Sequence, residues 1–132
     1  MGKMTEVLIV EDSEDVLWTL GNMLDYAGFI VEGVTAGEEA LTKMRECPEI
    51  KLIILDYILP DMSGLTVLKR LREAGSQVKV IATSVLQETR ESFVNAGVLA
   101  FLEKPFNISK FIDLCKQVLN GENGQQGIAS QN

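Results

Sequence analysis

Carboxylates follow two short apolar segments of this chain, and their types and positions indicate what chemistry the chain could perform. Asp56 follows the run Leu52–Leu55, and Glu11 and Asp12 follow the run Val7–Val10. Apolar runs of this length that end at polar residues predict strands buried on both faces, as in a parallel sheet. A carboxylate at the end of such a strand costs free energy to remove from water unless an opposite charge pairs with it.

If the three carboxylates lie close together, we expect either that one of them is protonated or that a cation is bound among them. Open α/β sheets bind ligands at the carboxyl ends of their strands, where these side chains would meet. At a separation of about 5 Å and an effective dielectric constant near 20, each pair would repel by roughly 3 kcal/mol. Either one carboxyl group stays protonated or a cation lies among Glu11, Asp12 and Asp56. Because all the ligands would be oxygen atoms, the cation that fits is Mg²⁺.

Asp56 could also act as a nucleophile, because a carboxylate attacks phosphorus without first losing a proton. Thr83 and Lys104 come shortly after two further apolar segments, Val78–Ala82 and Val98–Leu102. An ammonium group and a hydroxyl near a phosphoryl group would stabilise the negative charge on its oxygens. The predicted chemistry is therefore phosphoryl transfer to Asp56, with Mg²⁺, Lys104 and Thr83 around the reacting group.

The elements that must position these residues alternate between strand and helix. The predicted strands are Val7–Val10, Phe29–Val34, Leu52–Leu55, Val78–Ala82 and Val98–Leu102. Amphipathic helical patterns separate them, and the pattern over 88–96 is the least regular. This alternation predicts a flavodoxin-like (βα)5 fold, a doubly wound parallel α/β sheet with strand order 2-1-3-4-5. In that order the first and third strands are neighbours, so their terminal carboxylates come together.

Three helices begin near residues that commonly cap helix N-termini. Ser13 is predicted to cap the first helix and Ser109 the last. The segment Thr35–Glu38 has the spacing of a capping box for the second helix. These caps would fix where each helix starts relative to the strand end before it.

Composition excludes several other kinds of site. The chain has 132 residues, of which 46% are hydrophobic and 23% charged, as expected for one globular domain. Its net charge of −7 disfavours non-specific nucleic-acid binding, and the absence of histidine excludes histidine-based catalysis. Cys47 and Cys115 are predicted to be buried thiols, because each falls on the apolar side of a helical pattern, and the absence of a CxxC pair gives no support to a redox or zinc site. No signal peptide or membrane-spanning run is visible, so we predict a cytoplasmic location.

Taken together and in order, these residues resemble the receiver domain of two-component response regulators. The resemblance covers residues 5–120, so we predict a receiver domain over 1–121 and a disordered tail or linker stub over 122–132. The matching features are Glu11-Asp12, Asp56 with Pro60 and Gly64, the hydroxyl of Thr83, and Lys104-Pro105-Phe106. Each feature is weak alone, but the set is highly specific.

The resemblance implies a role for each residue of the site. Asp56 would accept a phosphoryl group from a partner histidine kinase or histidine phosphotransfer protein, which would supply the histidine this chain lacks. Asp12 would be a direct ligand of Mg²⁺, and Glu11 would act through water. Asp56 itself and the backbone carbonyl of Ile58 would complete the protein ligands. Lys104 would contact the phosphoryl group, and its bond to Pro105 would be cis.

The resemblance also implies a switch made of Thr83 and Phe101. The hydroxyl would move toward the phosphoryl group and the aromatic ring would fill the space it leaves, although the neighbouring Ser84 is a second candidate for the hydroxyl. Phe101 has no hydroxyl, so packing alone would drive its movement. The surface of the fourth helix, fifth strand and fifth helix would then bind a downstream protein or effector domain, or form a phosphorylation-dependent dimer. Only 21 positions separate Thr83 from Lys104, which predicts a shortened loop or fourth helix.

Two other functions use the same residues differently. A phosphatase or phosphotransferase of the haloacid-dehalogenase-like kind would need an Asp-x-Asp arrangement, but Tyr57-Ile58 follow Asp56. A receiver-like binding module that is never phosphorylated would have no need of the intact acidic pair and Lys104. The resemblance implies that the chain is not an enzyme in the usual sense and catalyses only its own phosphorylation and dephosphorylation.

Overall fold

The computed structural model describes residues 4–121, which form a five-stranded parallel sheet with helices on both faces. The strands are β1 (Val7–Val10), β2 (Val31–Val34), β3 (Leu52–Asp56), β4 (Lys79–Ser84) and β5 (Ala100–Glu103). The helices are α1 (Glu14–Tyr26), α2 (Gly37–Glu46), α3 (Gly64–Glu73), α4 (Arg90–Asn95) and α5 (Ile108–Leu119), with a 3₁₀ turn at Gln87–Thr89. The tail predicted at 122–132 lies outside the described residues.

The strand order is β2-β1-β3-β4-β5, which confirms the predicted flavodoxin-like topology. All neighbouring strands are parallel, and every residue of β1 and β3 is buried. Val10 pairs with Leu55, and Asp56 pairs with Thr83, at the carboxyl ends of these strands. This register brings the ends of β1, β3 and β4 to one edge of the sheet.

Alternate strand residues point to opposite faces of the sheet, and each face has its own apolar core. One core lies beneath α2, α3 and α4 and includes Leu55, Phe93 and Phe101. The other lies beneath α1 and α5 and includes Ile54 and Cys115. Burying a large apolar side chain contributes about 1.5–3 kcal/mol. Both cores therefore hold the carboxyl ends of the strands in fixed relative positions.

Element ends differ from the predicted ones where backbone hydrogen bonds decide them. Strand β2 begins at Val31 instead of Phe29, because the Phe29 N–H donates to the Leu24 carbonyl and still closes the end of α1. Ser13 caps α1 as predicted, accepting a hydrogen bond from the Val16 N–H at 3.4 Å.

Within residues 4–121, each helix is too short or too polar to span a bilayer.

Two predicted caps are wrong. Asn107, not Ser109, caps α5, because its backbone is extended and its Oδ1 accepts from the Lys110 N–H at 2.9 Å. The capping box at Thr35–Glu38 does not form, since the N-cap of α2 is Ala36, which has no side-chain acceptor. Cys115 is buried as predicted, whereas Cys47 is only partly buried.

Candidate functional site

The three predicted acidic side chains meet at the carboxyl edge of the sheet. One oxygen atom from each of Glu11, Asp12 and Asp56 lies within 4.8 Å of the other two. Glu11 and Asp56 are buried, whereas Asp12 is exposed. The Ser13 N–H donates to Glu11 Oε2 at 3.1 Å, so the start of α1 holds Glu11 in place. This arrangement offers a cation two buried ligands and one that opens to solvent.

Lys104 reaches this cluster from the end of β5. Its Nζ lies 2.6 Å from Glu11 Oε1 and 3.1 Å from Asp56 Oδ1, so it contacts both buried carboxylates. The Lys104 N–H donates to the Ser84 carbonyl at 2.8 Å, which continues the β4–β5 pairing up to the lysine. The bond to Pro105 is cis, as expected. One ammonium group thus lies between two carboxylates, and a third carboxylate stands beside them.

Thr83 supplies the hydroxyl that contacts Asp56. The buried Thr83 Oγ1 donates to Asp56 Oδ1 at 3.2 Å, and the Tyr57 N–H donates to the Thr83 carbonyl at 2.9 Å. The neighbouring Ser84 hydroxyl instead accepts from the Leu86 N–H at 2.9 Å. Of the two hydroxyls that the sequence left as alternatives, the structure therefore places that of Thr83 at the acidic cluster.

The electrostatics of the cluster favour a further positive charge. Burial, followed by the charge of Glu11, raises the pKa of Asp56 above its ordinary value, although Lys104 and Thr83 act in the opposite direction. Burial alone would lower the pKa of Lys104, but its hydrogen bond to Glu11 and the charge of Asp56 raise it. Lys104 therefore stays protonated, and the remaining negative charge is what a divalent cation would neutralise.

The loop from β3 to α3 turns tightly beside Asp56. The Gly64 N–H donates to the Tyr57 carbonyl at 2.7 Å, and Ile58 forms an isolated antiparallel bridge with Ser63. A Cβ at position 64 would collide with the backbone oxygen of Asp56, so only glycine fits there. This turn keeps the backbone of Ile58 close to Asp56.

A comparison with known families identifies the family of this chain. Residues 7–116 match the family described as Response regulator receiver domain. The chain belongs to this family. It is 32% identical over 112 residues to the probable C4-dicarboxylate response regulator DctR of Halalkalibacterium halodurans, covering 81% of this chain and 48% of that protein. It is also 32% identical to two-component response regulator 24 of Arabidopsis thaliana, covering 81% of this chain and 78% of that protein.

Solved structures of receiver domains have the same fold. A CheY-like receiver domain protein from Methanospirillum hungatei superposes with a TM-score of 0.82 at 26% identity, covering 90% of this chain and 96% of that one. The receiver domain of a putative LuxO repressor protein from Vibrio parahaemolyticus gives 0.80 at 27% identity, covering 90% and 92%. The chain spans about half the length of the first bacterial relatives, 48% and 51%. It is thus a receiver domain of two-component signalling.

Three aromatic side chains form a cluster beneath the site of this receiver domain. Phe101 is fully buried, and its ring centroid lies 6.0 Å from that of Phe93. Tyr57, directly after Asp56, meets Phe93 edge-on, also at 6.0 Å. Phe101 was predicted from the sequence, but the contact between Phe93 and Phe101 was not, because the irregular apolar pattern of α4 does not show which of its residues face the sheet.

Sequence reasoning also missed Asp61, in the loop from β3 to α3. Its two carboxylate oxygens accept hydrogen bonds from the N–H groups of Gly37 and Glu38, at 2.8 and 2.9 Å. This loop residue therefore replaces the cap that α2 lacks locally. An acidic residue in a loop rich in turn-forming residues is common, so the sequence around Asp61 does not indicate that it binds a partner 24 positions away.

Proposed function

We propose that Asp56 is the phosphoacceptor of this receiver domain, and that Mg²⁺ is held by Glu11, Asp12, Asp56 and the backbone carbonyl of Ile58. One observation carries this assignment. The buried Oδ1 of Asp56 lies within hydrogen-bond distance of both Thr83 Oγ1 and Lys104 Nζ, with two further carboxylates close by. The family membership makes phosphorylation of an aspartate the expected activity, and Asp56 has the surroundings that the reaction needs.

The residues present fit the metal. The cluster offers oxygen ligands alone, and the exposed Asp12 leaves room for water, which Mg²⁺ usually retains. Lys104 neutralises only part of the negative charge, so the metal-free cluster has an excess of it. Bound Mg²⁺ would supply positive charge to the phosphoryl oxygens.

The side chains of this chain would carry the transfer itself. An oxygen of the Asp56 carboxylate forms a bond to phosphorus while the bond from phosphorus to the donor nitrogen breaks, and that electron pair leaves with the donor. Lys104 Nζ and Thr83 Oγ1 stabilise the charge on the phosphoryl oxygens. No proton has to leave Asp56 first, because Lys104 and bound Mg²⁺ would keep its carboxylate ionised.

Phosphorylation would act on the rest of the molecule through Thr83 and Phe101. A phosphoryl group adds charge and strong acceptor oxygens beside the Thr83 hydroxyl, which now donates to Asp56. Movement of this hydroxyl would open space above the core that contains Phe101 and Phe93. Because packing alone holds the Phe101 ring, its shift would change the relative populations of two arrangements of α4, β5 and α5.

The partners follow from this role and are part of the proposal. The donor would be a sensor histidine kinase or a histidine phosphotransfer protein in the cytoplasm. The receiver of the signal would be a downstream protein, an effector domain, or a second copy in a phosphorylation-dependent dimer. The chain would catalyse only its own phosphorylation and dephosphorylation.

The test is the mass of the intact protein after incubation with acetyl phosphate and Mg²⁺. We expect the wild type to gain one phosphoryl group. Asp56→Asn should gain none, and Asp12→Ala should react more slowly because it loses a metal ligand. Asp113→Asn, on the exposed surface of α5, is a control that should behave like the wild type. An unchanged mass of the wild type with Mg²⁺ present would instead favour a binding module that is not phosphorylated.

A further inference from the structure

The loop that carries Ile58 is attached to a helix outside the acidic site. Asp61 lies in this loop, and its Oδ1 and Oδ2 accept from the Gly37 and Glu38 N–H groups at 2.8 and 2.9 Å. These are the first two residues of α2, whose N-cap Ala36 provides no side-chain acceptor. Both contacts bridge more than 20 positions of sequence, so they connect two separate elements.

Packing at the same point shows that the two elements are closely fitted. A Cβ at Gly37 would overlap the side chain of Met62, the residue after Asp61, and would crowd that of Val67 in α3. Glycine at the start of α2 therefore lets the helix approach the loop closely enough for both hydrogen bonds. The hydrogen bonds from the Glu38 and Gly37 N–H groups lower the pKa of the Asp61 carboxyl below its ordinary value, so it is ionised near neutral pH.

The loop is also anchored by packing and by its ends, since Leu59, directly after Ile58, is buried in the core beneath α2, α3 and α4. At one end the Tyr57 N–H donates to Thr83, and at the other the Gly64 N–H donates to the Tyr57 carbonyl. Between them, the Ile58 backbone forms an isolated antiparallel bridge with Ser63 of the same loop. Among the contacts of the described residues, the hydrogen bonds of Asp61 tie this middle part to α2.

We propose that Asp61 is a positioning residue that fixes the Ile58 carbonyl for metal binding by holding the β3–α3 loop on the N-terminus of α2. This inference deepens the proposed function and rests on it, because it assumes that the Ile58 carbonyl is a ligand of Mg²⁺. Residues that orient metal ligands from outside affect metal affinity even though they never touch the ion. By linkage, metal binding would in turn strengthen the two hydrogen bonds to α2.

A second residue of this chain provides a control that tests whether Asp61 acts only as a helix cap. Glu39 also lies in the first turn of α2, and its Oε1 accepts from the Thr35 N–H at 3.0 Å and from the Thr35 hydroxyl at 3.3 Å. These contacts stabilise the start of α2 from within the same segment and do not reach the β3–α3 loop. Glu39→Gln should therefore weaken the helix start without changing the position of Ile58.

The experiment measures Mg²⁺ affinity by isothermal titration calorimetry on the wild type, Asp61→Ala, Asp61→Asn and Glu39→Gln. We expect Asp61→Ala to weaken binding about tenfold, the low end for residues that support metal ligands. Asp61→Asn retains one acceptor oxygen and should show a smaller loss. Glu39→Gln should bind Mg²⁺ as the wild type does. With acetyl phosphate, Asp61→Ala should need more Mg²⁺ for half-maximal phosphorylation yet approach the wild-type rate at saturation.

Hydrogen exchange provides a second measurement that does not depend on phosphorylation. The Gly37 and Glu38 amides should exchange more slowly when Mg²⁺ is added to the wild type, and this protection should disappear in Asp61→Ala. The inference would be overturned if Asp61→Ala bound Mg²⁺ as tightly as the wild type and lost only thermal stability, like Glu39→Gln. If the wild type itself bound no Mg²⁺, the proposed function would fail and this inference with it.

Discussion

At the scale of single residues, Asp56 is a carboxyl group whose ionisation is made unfavourable by its surroundings in the metal-free protein. Burial and the Glu11 carboxylate raise its pKa above the ordinary value of 3.8. The folded state therefore binds the proton more tightly than the unfolded state. As the pH rises from 3.8 to the raised pKa, ionisation of Asp56 progressively lowers the stability of the folded state. At every higher pH the folded state carries the whole of this loss in stability.

Asp56→Asn should therefore stabilise the metal-free protein at neutral pH. The amide keeps the shape of the side chain but removes its repulsion with Glu11, and Lys104 remains paired with Glu11 at 2.6 Å. Because the raised pKa of Asp56 means that its ionisation costs folding free energy at neutral pH, we expect the Tm of Asp56→Asn to be higher than that of the wild type. Thermal unfolding in the presence of a chelator checks this, and the difference should shrink as the pH falls to about 4.

Added Mg²⁺ supplies the control for this prediction. It should raise the Tm of the wild type, whose carboxylates it neutralises, by more than that of Asp56→Asn. A lower Tm for Asp56→Asn at pH 7 without metal would mean that the contact between Asp56 and Lys104, at 3.1 Å, outweighs the cost of burial.

Single residues at strand ends could be predicted from the sequence, whereas Asp61 could not. Asp56 and Glu11 follow unbroken apolar runs, and a parallel sheet brings such ends together whatever the details of its loops. The role of Asp61 depends on how closely the β3–α3 loop approaches α2, which Gly37 permits by lacking a Cβ. This close approach is a property of tertiary packing, and no local pattern reports it.

At the scale of elements, the starts of helices were the least predictable feature. Ser109 and Asn107 are both good N-caps, two residues apart, and sequence preference does not separate them. The chain enters α5 from the loop after Pro105, and this path leaves Asn107 extended and places Ser109 in the first turn. The strands, by contrast, were predicted within a few residues, and β1 and β3 most closely, because burial on both faces requires continuous apolar runs.

Substitution of each of the two candidate caps of α5 allows their contributions to stability to be compared directly. Asn107→Ala should lower the free energy of unfolding by about 1 kcal/mol, because the Lys110 N–H loses its acceptor. Ser109→Ala should change it by less than about 0.5 kcal/mol, since Ser109 is exposed within the helix. Urea denaturation followed by circular dichroism measures both values. Equal losses in the two variants would mean that the helix starts at either residue in solution.

At the scale of the whole molecule, the two cysteines report on different depths of the fold. Cys115 is fully buried between α5 and the sheet, and burial raises the pKa of its thiol to about 12. Cys47 ends α2 and is partly exposed. Because the thiolate is the reactive form, Cys115 should react only when the core around α5 opens, whereas Cys47 needs a smaller opening.

Metal binding at the far edge of the sheet should therefore slow the labelling of Cys115. A ligand that binds only the folded state lowers the population of the open state by a factor of one plus the ratio of its concentration to its Kd. At Mg²⁺ concentrations about tenfold above Kd, iodoacetamide should label Cys115 about tenfold more slowly, as measured by mass spectrometry of its peptide. In Asp12→Ala the same concentration should have much less effect, because the site has lost a ligand. Equal protection of Cys115 by Mg²⁺ in both proteins would show that Mg²⁺ acts elsewhere. If Cys115 were labelled as fast as Cys47, the core around α5 would open independently of the rest of the fold.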